Sequence, residues 1–446
     1  MMTKQLFTLF AFLLSAAGAT AQNKDGFDDQ SVIVYKIKAG DTLSTLVDKY
    51  LLRPPDIEAI HKANHLKNIN LLPIGSELNI PRHLVKKMAS KATITSLSCG
   101  VPIRLSTSSK PLSIGTLILE GAIIEVPADC HVSMLLEDGS VIRLPSSASL
   151  QITTLRKNAL EPSPEVRLDL ARGRVELDVD KTRSKTTPFE IRTPISIMGV
   201  RGTEFRVGYS PEDKEGQVEV LGGVVQTRGS ADTQSNAITK GLGVPISGTG
   251  NALDIEKLLP PPKFEGATAT AGANPSYVLK LSPVQAAHYF VADSASTANM
   301  SGNRMSQNLL APELFIPRLS KQAAFYQLTS VSASGLVGNE RVYAFCVPPA
   351  DKAARCSAVF DAPLADGQPI AFTLSRMEDG TNQPLVSTQN LQAKNGRFAI
   401  QGLPAGHFKW TLSYALPRPQ GEPGGDNVMR QSGAFELIVL PLADKP

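Results

Sequence analysis

Val132-Ser133-Met134-Leu135-Leu136-Glu137-Asp138-Gly139-Ser140-Val141-Ile142-Arg143-Leu144 sets the class of this chain. Val132, Met134 and Leu136 alternate with their neighbours, the period of a half-buried strand. Asp138-Gly139 then supplies a hairpin turn, because both residues tolerate positive φ at low cost. A second apolar strand follows at 141–144. Outward from this hairpin the pattern recurs: short apolar runs at 117–119, 123–126, 150–152, 166–170, 175–179, 189–191, 205–209 and 218–221. Composition agrees. Gly 34 and Pro 32 in 446 residues favour turns and short strands over long helices. A net charge of +4 is too small for a dedicated nucleic-acid binder, whose domains concentrate basic charge. The expected fold class is multidomain and mainly β.

One unit departs from the all-strand pattern. Val32, Val34 and residues 35–38 read as a strand ending at Gly40-Asp41-Thr42, where Asp41 or Thr42 can cap a helix. Leu43, Leu46, Val47 and Tyr50 keep helical spacing. Pro54-Pro55 opens a second helix, carrying Ile57, Ile60 and Asn64. A turn at Leu71-Leu72-Pro73-Ile74-Gly75 leads to a strand at 77–80 closed by Pro81. The order over 31–82 is β-α-α-β. Tyr35-Lys36-Ile37, Ala39-Gly40-Asp41-Thr42-Leu43, Ile57, Ile60, Asn64 and Leu72-Pro73-Ile74-Gly75-Ser76-Glu77-Leu78-Asn79-Ile80-Pro81 make the segment resemble a LysM domain, a carbohydrate-binding module of cell-wall proteins. The resemblance implies a shallow groove for glycans containing N-acetylglucosamine. Gly40, Asp41, Thr42 and Leu43 would form one side, and Asn70, Leu71, Leu72 and Ile74 the other. Amides and Asp/Thr oxygens suit acetamido groups, while Leu and Ile suit sugar faces and methyls. His61 and His65, four apart on one helix, lack a further ligand nearby and read as a solvated pair rather than a metal site.

The strand-rich middle, 113–230, carries its own marks. These are Gly115, Gly121, Leu136-Glu137-Asp138-Gly139-Ser140, Leu170-Ala171-Arg172-Gly173-Arg174-Val175, and Ile191-Arg192-Thr193-Pro194-Ile195 leading to Val200-Arg201-Gly202-Thr203-Glu204-Phe205-Arg206-Val207. Val220-Leu221-Gly222-Gly223-Val224-Val225 completes the set, and the region resembles the FecR domain of the bacterial envelope. Family members in iron-uptake signalling place this domain outside an inner-membrane helix whose cytosolic part acts on a sigma factor. No such helix or cytosolic part is read in this chain, which disfavours direct sigma-factor regulation. The Arg201-Gly202-Thr203 turn has two readings: a partner contact, or a buried arginine pairing with Glu204 or Glu190 beside a left-handed glycine.

The flanks read as connectors and further β-domains. Residues 83–112 hold Lys86, Lys87, Lys91, Arg104 and Lys110 without an Asp or Glu, a basic linker. Residues 248–274, with Pro260-Pro261-Pro262, read as a Gly/Pro/Ala linker. Beyond it, 275–361 and 362–442 are expected as two β-sandwich-like domains. Leu403-Pro404-Ala405-Gly406-His407-Phe408-Lys409-Trp410 resembles a late strand of small immunoglobulin-like or fibronectin type III sandwiches.

At the N-terminus, Lys4, an apolar run at 6–14 and Ala19-Thr20-Ala21 give residues 1–21 the pattern of a secretory signal. No later stretch reaches membrane-spanning length. An oxidising compartment suits the four cysteines. Cys346 and Cys356 flank the Pro348-Pro349 turn region and are candidates for one disulfide, leaving Cys99 and Cys130 for a second, although four cysteines allow three pairings.

Catalytic motifs are missing. The chain has no His-Glu-x-x-His, Gly-x-Ser-x-Gly, Walker loop or complete dinucleotide fingerprint, and Cys130 and His131 would point to opposite faces of a strand. No cofactor or metal is expected. The reading is a non-enzymatic protein of the periplasm or secreted cell envelope that binds peptidoglycan. It would present its β-domains to an envelope protein or polysaccharide, with no nucleic-acid partner. The alternatives are a FecR-related sensor or regulator, and an unrecognised peptidoglycan hydrolase.

Overall fold

The computed structural model describes residues 32–52, 56–66, 68, 72–99, 101–105, 111–161, 163–183, 187–270, 275–300, 304–348, 355–362, 364, 366–378, 381–415 and 428–441. The expected signal segment, 1–21, lies outside them. The protein is multidomain and mainly β, with a small βααβ unit at the N-terminus.

In that unit β1 (Val32–Lys36) pairs antiparallel with β2 (Glu77–Pro81), and two helices, α1 (Leu43–Tyr50) and α2 (Asp56–Asn64), lie between them in the chain. Helix α1 starts where Thr42, in extended backbone, turns its hydroxyl to the Thr45 N–H. Thr45 answers through its own hydroxyl, which accepts from the Thr42 N–H. This reciprocal cap satisfies two donors that a helix start leaves open. Leu43, Leu46 and Val47 bury one face against Ile33, Ile60, Leu78 and Ile80. Asn64 latches α2 to β2: its amide donates to the Asn79 carbonyl (2.7 Å) and its oxygen accepts from the Asn79 N–H (2.6 Å).

The unit does not stop at Arg82. Leu84 and Val85 complete its core, Leu52 N–H donates to the Leu84 carbonyl (2.9 Å), and Lys86 N–H to the Tyr50 carbonyl (2.7 Å). Arg82 itself is buried and donates to Glu161 (3.0 Å) in the next domain.

Residues 83–112 are therefore not a free linker. Lys87–Ala89 pairs with Ser149–Asn158, and Ala92–Ser98 pairs with His131–Leu136. Residues 106–110 lie outside the description. Composition misled here because strand partners far away in the chain decide the state of a Ser/Thr-rich basic run.

The large sheet system that follows is organised by one strand of 15 residues, Pro164–Asp178. Its first half pairs with Ser149–Asn158 and, in parallel, with Phe189–Thr193. Its second half pairs with Glu204–Ser210 and Val141–Leu144. The strand changes partners near Gly173, whose φ is +80°. A Cβ there would stand 2.6 Å from the Ser147 carbonyl oxygen and 2.7 Å from the Ala148 Cα. Only glycine fits so close a backbone approach. Inside lies a continuous apolar core including Ile124, Leu150, Leu168, Leu177, Phe189, Phe205 and Val220. At the opening hairpin, Gly139 takes φ +90° and Asp138 accepts from the Ser140 N–H (3.0 Å). The Asp138 carboxylate also pairs with the buried Arg183.

Residues 248–270 of the second expected linker likewise hold structure. Glu256–Lys257 and Phe264–Ala269 are strands. The proline run between them is pinned by its carbonyls: Pro260 accepts from the Ser330 hydroxyl (2.7 Å), and Leu259 from the Asn339 N–H (2.8 Å). Proline lacks a donor but not an acceptor.

The expected division between 361 and 362 does not separate two sheets. Val337–Cys346 from one side pairs in parallel with Val428–Val439 from the other, and Cys356–Asp361 pairs with Arg397–Leu403. One eight-stranded sheet joins both segments. Its core includes Phe360, Phe372, Phe398 and Trp410, with ring centroids 4.9–5.5 Å apart. Such edge-on and stacked aromatic packing adds to the area buried. Cys346 is bonded to Cys356 (Cα–Cα 6.3 Å), and Cys99 to Cys130 (Cα–Cα 4.4 Å).

Candidate functional site

The N-terminal unit brings two loops side by side. The first, 37–42, joins β1 to α1; the second, 73–76, precedes β2. They are tied through the backbone: Gly75 N–H donates to the Ile37 carbonyl (2.8 Å), and Ile37 N–H to the Ser76 carbonyl (2.9 Å). Both loops turn at a glycine of positive φ, Gly40 at +87° and Gly75 at +84°, and a Cβ at either would meet open space. On the second loop, next to Gly75, Ile74 is 71% exposed. An apolar side chain held that far into solvent on a fixed loop is available to a ligand.

Asp41 organises the first loop. Its carboxylate accepts from the Tyr35 hydroxyl (2.9 Å) and the Lys38 N–H (2.7 Å). Burial first, and the neighbouring Asp41 second, push the Tyr35 phenol up to about 12, so the phenol remains a donor throughout the neutral range. Asp41 thus holds the loop's shape as well as presenting an acceptor.

The residues expected to line a groove divide. Gly40, Asp41, Thr42 and Ile74 lie on the paired loops. Asn70 and Leu71 lie outside the described residues. Leu43 and Leu72 are 2% and 9% exposed and belong to the core. Their side chains fill the space beneath the loops and do not offer a sugar-facing surface. Spacing cannot separate the two cases, because an apolar residue at a helix start serves either purpose. Gly75 and Ser76, which belong to the LysM-like motif but not to the expected groove, carry the link between the loops. His61 is engaged locally, its Nε2 2.7 Å from the Leu66 carbonyl oxygen. Among the described residues no group of His, Cys, Asp and Glu is arranged to hold a metal.

Neither reading of the Arg201-Gly202-Thr203 turn as a buried ion pair holds. Arg201 is exposed, and Glu190 pairs with Arg192 instead. Gly202 is required for packing: a Cβ would stand 3.1 Å from the Lys181 Cα at a φ of +57°.

Residues 35–81 match the model of the LysM domain, and residues 122–226 that of the FecR protein family. The chain carries both domains, which are typical of bacterial envelope proteins and belong to binding and regulatory families. No curated protein matches the chain. Two crystal structures of a "putative anti-sigma factor" from Parabacteroides distasonis ATCC 8503 are similar at 21% and 22% identity, with TM-scores of 0.26 and 0.25. Each alignment covers 30% of this chain and 59% of that one, so the chain spans about three fifths of the structures it matches. Among the described residues no helix is long and apolar enough to cross a membrane.

Proposed function

We propose that this is a non-enzymatic protein of the bacterial periplasm or secreted cell envelope that docks on peptidoglycan through the paired loops 37–42 and 73–76. The FecR-type and C-terminal sheets are then held at the wall to meet an envelope protein or polysaccharide. The observation that carries this reading is the exposed Ile74 on a loop bonded through its backbone to the one that bears Gly40-Asp41-Thr42, within a segment that matches the LysM model throughout. Amides and a carboxylate suit acetamido and hydroxyl groups, and Ile74 suits a sugar face or acetyl methyl. The full chain should co-sediment with purified sacculi, and soluble N-acetylglucosamine oligomers should compete. Sedimentation untouched by such oligomers would remove the glycan from the proposal. A second reading, an envelope regulator acting through the FecR-type domain, is favoured by the match over 122–226. It predicts capture of a membrane receptor by a chain from which the loop contacts have been removed.

A further inference from the structure

The long strand and its neighbours have two faces. Leu177, Phe205 and Val220 point into the apolar core. The opposite face carries charges in register across four strands: Arg143 beside Glu176, Glu176 beside Arg206, and Arg206 beside Glu219. The C-terminal sheet covers this face. Arg206 donates to the Gly338 carbonyl (3.0 Å) and pairs with Glu340, Glu219 accepts from the Val337 N–H (3.0 Å), and Arg304 pairs with Asp293 (2.9 Å). A cleft remains between the sheets, with a lobe of about 320 Å³ adjoining one of about 260 Å³; His131, Glu176, Arg206 and Arg304 line both.

Most charges in the cleft make ion pairs or side-chain hydrogen bonds, but four at the larger lobe do not. Arg143 and Arg430 make no ion pair or side-chain hydrogen bond among the described residues, and neither do Asp178 and Glu204, which stand opposite each other in register. Two further groups are buried without a partner: the indole N–H of Trp410, 4% exposed, and Nδ1 of His131, 2% exposed. Gly433, opposite Trp410 in register, lets the indole lie against its backbone. A Cβ there would stand 2.8 Å from Cζ2 and 3.1 Å from Nε1.

We propose that this cleft binds a small zwitterion, a free amino acid or short peptide. Its carboxylate is recognised by Arg143 and Arg430, and its ammonium by Asp178 and Glu204. The chemistry is selective. A guanidinium pair favours a carboxylate through charge-assisted hydrogen bonds, and two adjacent carboxylates repel until a cation lies between them. A simple anion would answer only the arginines, a simple cation only the carboxylates, and a neutral sugar neither. The volume stands at the small end of ligand sites.

Calorimetric titration of the full chain tests this with a panel of free amino acids of both hands and of dipeptides. Acetate, methylammonium and N-acetylglucosamine serve as controls. Saturable binding is expected for a member of the zwitterion panel and not for the controls. Whether free amino acids or dipeptides bind tells the two sources apart. Arg430→Gln and Asp178→Asn, both at exposed positions, should each weaken binding about tenfold or more. Circular dichroism should show these variants folded. Absence of saturable binding across the panel overturns the proposal. So does equal binding of acetate, or binding that Arg430→Gln leaves unchanged.

Discussion

The loop pair of the N-terminal unit and the cleft between the large sheets are built in opposite ways. The loops belong to one short segment and are joined by main-chain bonds between Ile37, Gly75 and Ser76. Their shape follows from local devices: two glycines of positive φ, a reciprocal threonine cap and a carboxylate that gathers its neighbours. The cleft draws on residues from Thr95 to Ala434 and exists only where two sheets meet. Its chemistry depends on buried charge. A site of the first kind tolerates changes elsewhere in the chain, whereas one of the second shares its stability with the whole interface.

The sharpest way to break that contrast is Arg206→Ala. Arg206 is 2% exposed and answers Glu340, Glu176 and Glu219. Removing it takes one counter-charge from the buried Glu219 and Glu176, which keep Arg174 and Arg304, and strips Glu340 of its partner; up to about 3–5 kcal/mol of stability should go. Urea denaturation should record the loss while sacculus binding by the folded fraction persists.

Gly173→Ala should cost about 1–3 kcal/mol or more, because it adds a strained φ to a clash with the backbone of Ser147 and Ala148. The same measurement checks it.

Acid sharpens the comparison further. Burial first, then the positive charges of Arg304 and Arg143 against the opposing Glu176, press the His131 imidazole down to about 3. Its unfolded value is 6.5, so between pH 6.5 and 3 the unfolded chain holds a proton that the folded chain refuses. Stability is full above 6.5 and falls as pH drops through that window, by at most about 1.4 kcal/mol per pH unit. Burial pushes Glu176 up, but Arg304, Arg206 and Arg143 outweigh it and hold the carboxyl at about 2. Its contribution is present above its unfolded value of 4.5 and is lost between 4.5 and 2. His131→Gln should flatten the slope of melting temperature against pH between 6.5 and 4.5. An unchanged slope would remove His131 from the account.

The smallest effect belongs to the local site. Thr42→Ala removes the helix cap at about 1 kcal/mol, read from the thermal melt. It should leave the acid slope unchanged.

The same contrast explains what could be read from the sequence. The β-α-α-β order, the Asp138-Gly139 turn and the mainly β class were legible because neighbours in the chain create them. The paired loops were legible in part. Gly40, Asp41, Thr42 and Ile74 stand where the pattern puts them, while Leu43 and Leu72 turn inward. Residues 83–112 and 248–274 looked like linkers, since their order comes from distant partners such as His131–Leu136 and Ser330. The cleft left only a faint signal. Glu176, Arg206 and Glu219 alternate with core residues as solvent-facing charges would, and nothing in that alternation shows that another sheet covers them.

Sacculus co-sedimentation of full-length Ile74→Ser against the unchanged chain tests wall docking most directly. Truncation at Arg82 would be a poorer test, because it strips Leu84 and Val85 from the core and Glu161 from Arg82. Ile74 buries little of itself in the fold, so the variant should keep the parent's circular dichroism and melting temperature. The account predicts that its bound fraction drops clearly, in line with the loss of one apolar contact from a small groove. A folded Ile74→Ser chain that sediments with sacculi as completely as the parent, across a titration of sacculi, would contradict docking through these loops.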